Sequence, residues 1–138
     1  MEKLTKENFD NSIPVIIIDK LNMTEIYDAI DVEMMNRKDI SDEKLKECQY
    51  RHAMNQGGHE ALWEIFQKTM SMLDVDSLRL LYDYETSKIE MMKENGNEWV
   101  AKKMKTIRYS IAMEILRRGA MINPQYPNIR VYTPKPRR

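Results

Sequence analysis

The chain has only four glycines and five prolines in 138 residues, and they gather at a few boundaries. Glycine and proline are the strongest breakers of regular structure. Between them, apolar residues recur three and four positions apart, the spacing of a helix face rather than the alternation of a strand. The sequence therefore predicts an all-α fold, with about five helices in one compact domain over 1–138.

The first predicted helix starts at Asn22, which forms a capping box with Glu25 while Leu21 and Ile26 supply the hydrophobic staple. Met23, Ile26, Tyr27, Ile30 and Met34 then share one face, which reads as the buried one. This helix fades near Asn36. A second helix follows Ser41 as N-cap, with Asp42 and Glu43 in its first turn, and stops at Gly57-Gly58. A third runs from about His59 to Leu73 on a stripe of Leu62, Ile65, Phe66, Met70 and Leu73. Asp74 or Asp76 caps a fourth, whose buried face is Leu78, Leu81, Tyr82, Ile89 and Met92. Asn95-Gly96-Asn97 is the clearest break, with Gly96 suited to a helix C-terminus and Asn97 to the next N-cap. So short a connection forces an antiparallel hairpin. The fifth helix carries Val100, Met104, Ile107, Ile111 and Ile115 on one line and ends at Gly119.

Two segments read as extended. Pro14 to Asp19 is rich in β-branched residues, and Asn128 to Thr133 alternates apolar and polar side chains. They are expected to form one short strand pair. Residues 1–12 read as a loose arm and 134–138 as a basic tail.

The longest unbroken apolar run, Val15 to Ile18, is far too short for a membrane span, and the N-terminus lacks the apolar stretch of a signal peptide. The single cysteine, Cys48, excludes an intrachain disulfide. These features fit a reducing, cytoplasmic setting.

Net charge is zero overall yet unevenly distributed. Residues 98–138 hold ten basic and two acidic side chains, a net of +8, against −8 over 1–97. Lys102, Lys103, Lys105 and Arg108 lie on the fifth helix, and Arg117, Arg118, Arg130, Lys135, Arg137 and Arg138 extend the charge beyond it. Such an array attracts phosphates or an acidic partner surface. Tyr109, Tyr126 and Tyr132 are interleaved and suited to stack on bases. The plain alternative is a solvated helix face, and a sequence pI near 6.7 is low for a dedicated nucleic-acid domain.

Candidate metal ligands are Cys48, His52 and His59, beside Glu60. Zinc signatures normally bring two close ligand pairs, and here there is one. The plain alternative makes Cys48 a small buried residue. His59-Glu60 opens like H-E-x-x-H, but Trp63 stands at the fifth position. A Cys48–His52 nucleophile pair would need an oxyanion hole that the sequence does not offer. No phosphate-cradling glycine loop is present, and no cofactor is expected.

Val32, Met35, Met72, Met91 and Met113 add apolar surface beyond what one small core needs, which predicts a homodimer. The expected function is that of a small non-enzymatic regulatory or adaptor protein binding another protein through helical surfaces. The alternative is a nucleic-acid-associated protein using the basic helix and tail. A Cys/His metal enzyme is the third.

Overall fold

The computed structural model describes residues 3–123. They form four α-helices: α1 (Ile13–Met35), α2 (Asp42–Met72), α3 (Val75–Glu94) and α4 (Glu98–Arg117). The class is all-α, as the spacing predicts. The helices pair as two hairpins, α1 with α2 and α3 with α4, packed on one another.

The count of five is corrected to four because α2 runs through Gly57 and Gly58 without a break. Two mid-helix glycines cost about 1 kcal/mol each relative to alanine. Contacts on both sides outweigh that cost: Arg51 and His52 before the glycines are bound to α1, and after them His59 is bound to α1 while Leu62, Trp63 and Phe66 pack into the main core. Neither glycine has a positive φ, whereas Gly96 and Gly119 do.

The expected strand at Pro14–Asp19 is also corrected. These residues are the first turns of α1. Ser12 is the N-cap, its Oγ accepting from the Val15 amide at 3.5 Å, and Pro14 sits in the first turn, where its fixed φ suits a helix. The β-branched run loses at most about 0.7 kcal/mol per residue in helix propensity, while each fully buried side chain contributes about 1.5–3 kcal/mol. Val15, Ile17, Ile18 and Leu21 are all buried, so burial wins. The pairing strand, residues 128–133, lies outside the described residues.

Residues 3–12, read as a loose arm, are anchored in the fold. Leu4 is 4% exposed, its amide donates to Ser77 Oγ at 3.0 Å, and Phe9 packs edge-on against Tyr84.

The main core joins Val15, Ile18 and Leu21 of α1, Phe66 and Met70 of α2, Leu78 and Leu81 of α3, and Ile107, Ile111 and Ile115 of α4. A smaller cluster of Ile89, Val100, Ala101 and Met104, with Ile26 against it, fills the far end of the α3–α4 hairpin. The predicted α4 stripe is buried throughout. The break at 95–97 is as expected: Gly96 N–H donates to Lys93 O and Asn97 N–H to Met92 O, with Gly96 at φ +79°.

One predicted face is wrong. On α1, Met23, Tyr27 and Ile30 are exposed, while Asn22 and Asp31 are buried. Ile65 of α2 is exposed as well, and so is Trp99 of α4.

Candidate protein-interaction surface

α1 turns its polar side chains toward α2. Asp31, 4% exposed, takes a forked pair of bonds from Arg51, at 2.9 Å from Nη2 and 3.2 Å from Nε. His52 Nδ1 is bound to Asp28 Oδ1. Two turns further along α2, His59 lies with Nε2 3.1 Å from Glu25 Oε1 and Nδ1 3.0 Å from Thr24 Oγ1. Carboxylates spaced three apart on α1 thus meet cations and imidazoles on one face of α2.

The metal candidates lie along this seam. His52 and His59 are two turns apart, about 10 Å along the axis, and each is held by a different α1 residue. Cys48 is fully buried, with Arg51 Nη2 3.5 Å from its Sγ. Among the described residues, no group of three or more His, Cys, Asp or Glu side chains is placed to hold a metal.

A polar inner face leaves an apolar outer one. On α1, Ile16, Met23, Tyr27, Ile30 and Met34 fall within about 60° of arc at 3.6 residues per turn. The first four are 44–54% exposed, and Met34 is half-buried. On α2, Tyr50, Met54, Ile65 and Met72 form a second narrow row, each at least half exposed. Two apolar rows, one on each helix of the hairpin, exceed the scattered single residues ordinary on a protein surface.

Beside this hairpin lies a groove of about 490 Å³ between α1 and the start of α4. Asp28, Val32, Glu33 and Asn36 form one wall, Trp99 and Lys103 the other. Trp99 is 43% exposed there, an amphipathic side chain with its ring in reach of solvent.

The basic array is divided by the fold. Lys102, Lys103 and Lys105 are exposed and form no ion pair among the described residues. Arg108 lies 5.8 Å over the Tyr82 ring and reaches Thr86 Oγ1 at 3.4 Å. Arg117 pairs with Glu114 at 3.0 Å. Arg118 donates to the carbonyls of Leu73 and Met70, closing the C-terminus of α2. Arg130, Lys135, Arg137 and Arg138 lie outside the described residues, as do Tyr126 and Tyr132.

Two features escaped the sequence reading. The outward α1 row was legible only against its rival, the row Glu25, Asp28 and Asp31, whose partners stand at matching spacing on α2. The second is Glu85, which falls in line with Leu78, Leu81 and Ile89 and is fully buried with them. A carboxylate inside an apolar stripe is the signal that could have found it.

The fold and surface define a small all-α protein of two packed hairpins. Among the described residues no helix is long and apolar enough to cross a membrane. Comparison with known proteins gives no match: no family model, no curated protein and no solved structure is significantly similar to this chain.

Proposed function

We propose that this is a small binding protein, regulatory or adaptor in kind, which seats a helix of a protein partner on the outer face of the α1–α2 hairpin. A second copy of the chain is the simplest such partner. The observation that carries the reading is the inversion of α1: Glu25, Asp28 and Asp31 are engaged by α2, and its apolar row is left facing solvent. Helical recognition reads such rows as anchors at i, i+4, i+7 and i+11. Burying one exposed tyrosine or isoleucine there contributes about 1–3 kcal/mol. A stable interface needs about 800 Å² from each side, which two helical rows of large side chains are suited to supply.

The test is the double substitution Tyr27→Glu with Ile30→Glu. Both side chains are exposed, so thermal unfolding is expected to change little, within about 0.5 kcal/mol per site. The variant is expected to sediment as a monomer where the parent self-associates, or to lose a partner that the parent captures. Unchanged sedimentation together with unchanged capture removes the reading.

A second reading rests on Lys102, Lys103 and Lys105, the members of the basic array that are exposed and form no ion pair among the described residues. Fluorescence anisotropy with mixed DNA and RNA at two salt concentrations decides it. Binding to nucleic acid must weaken steeply with salt and with Lys102→Glu and Lys105→Glu.

A further inference from the structure

Asn22 of α1 and Glu85 of α3 meet in the seam between the two hairpins. They are 6% and 0% exposed. Asn22 Nδ2 donates to Glu85 Oε1 at 2.8 Å. The other two polar atoms of this couple, Asn22 Oδ1 and Glu85 Oε2, are both buried without a hydrogen-bond partner, and they are the two such side-chain atoms found among the described residues. Buried polar groups are nearly always bonded, so two orphans on one facing couple call for an explanation.

The chemistry of the two atoms supplies one. An amide oxygen only accepts. A carboxylate oxygen also only accepts, but a carboxylic acid carries an O–H that donates. One proton on Oε2 therefore answers both orphans at once: it removes a buried charge and gives Asn22 Oδ1 a donor. An amide and a carboxylic acid are able to pair in this way as a closed ring of two hydrogen bonds, of which the Nδ2–Oε1 bond is already in place.

We propose that Glu85 exchanges a proton in the folded protein, donating from Oε2 to Asn22 Oδ1 when protonated, and that this couple is a proton-operated latch fastening α1 to α3. Protonated, the latch is closed by two bonds. Ionised, it keeps one bond and places an unneutralised carboxylate in the interior, which loosens α1 against the α3–α4 hairpin.

The surrounding charges agree. Burial is the main influence, and it pushes the Glu85 pKa up to about 7. Asp19 of α1, one turn before Asn22, pushes the same way and is itself bonded to Tyr84 of α3 at 2.6 Å. The bond from Asn22 Nδ2 is the strongest influence in the opposite sense, because it favours the ionised form, and Lys88 of α3 and Arg108 of α4 add to it; burial outweighs all three. The two cations are engaged elsewhere, Lys88 over the Tyr84 ring and Arg108 over the Tyr82 ring. A group poised near neutrality changes state within the physiological pH range, where an ordinary carboxylate does not.

The test uses the unmodified chain with ¹³C-labelled glutamate. The Glu85 Cδ signal, assigned through its own backbone, is followed by NMR from about pH 4 to pH 9, while amide exchange of α1 is measured near the two ends. The expected midpoint is near 7. Protection of α1 amides around Asn22, corrected for intrinsic exchange, is expected to fall about tenfold or more as Glu85 ionises. Glu85→Gln, which keeps both ring bonds without a titrating group, is expected to hold that protection constant. A midpoint in the ordinary carboxylate range overturns the proposal. So does a midpoint near 7 with α1 protection unchanged across it.

Discussion

Arg118, the residue that ends α4, reaches across the molecule to bond the carbonyls of Leu73 and Met70 at the end of α2. Its guanidinium is steadied by Glu114, which is itself 8% exposed and also holds Arg117. One cation thereby closes the C-terminus of α2 and ties the two hairpins at that end. A basic residue near a helix C-terminus is favoured by the orphan carbonyls and the helix dipole, and here the helix served is not its own.

The two neighbouring arginines should therefore behave differently. Arg118→Met removes the side-chain donor to the Leu73 carbonyl and one of the two donors to the Met70 carbonyl, which also accepts from Leu73 N–H, and is expected to lower stability by about 1–3 kcal/mol. Arg117, with 72% of its side chain exposed, is expected to tolerate alanine within about 0.5 kcal/mol. Urea denaturation of the two variants measures both. Equal losses would show that the α2 contact carries no special weight.

Gly57 and Gly58 are helical, exposed, and open around the position of an added Cβ, with nothing within 4 Å. Alanine at either site is expected to stabilise the protein by about 1 kcal/mol. In a chain of this length that raises the melting temperature by about 3–5 °C per site. A circular-dichroism melt that falls instead would mean that α2 breaks there in solution.

The polar seam makes a separate prediction. Asp31 is buried while Arg51 keeps 44% of its side chain exposed, so solvent screens part of their attraction. Asp31→Asn is expected to cost about 1–2 kcal/mol, less than a fully buried pair would. The loss should be confined to the distal half of the α1–α2 hairpin, read as faster amide exchange there than in the core around Ile18 and Phe66.

Stability should also follow pH through Glu85. Its folded pKa lies above the unfolded one, about 7 against 4.5. The neutral acid is thus favoured by folding, and the contribution is complete below about pH 4.5. It is lost as pH rises through about 7, a fall on the order of 3 kcal/mol. Glu85→Gln is expected to flatten that part of the profile. A profile that rises over the same interval and keeps its shape in the variant would contradict the assignment.

How much of this was legible in the sequence differs between the hairpins. In α3 and α4 a single apolar stripe faces a single polar side, and Gly96 marks the turn, so Leu78 to Ile89 and Val100 to Ile115 place themselves. In α1 apolar residues surround the helix. Two faces compete there, and the choice depends on Arg51, His52 and His59 arriving from α2, a tertiary fact that local periodicity does not contain. The Val15–Ile18 run was misread for a related reason. Strand propensity is a weak local preference, and the burial that overrides it comes from Phe66 and Ile111, distant in the chain. The basic array was visible as a count of charges, but its division into exposed lysines and engaged arginines depends on Tyr82, Glu114 and Leu73.

The central claim is that the outer apolar face of α1–α2 is where this protein meets its partner. The most direct measurement installs a photo-crosslinking side chain at Tyr27, and in a parallel protein at Tyr109 on the exposed side of α4, 41% exposed. Illumination in the cell of origin and in pure solution is expected to give a discrete adduct from position 27, to a partner or to a second copy, and none from position 109. Adducts from 109 with none from 27 would contradict the account and move the interface to the basic helix.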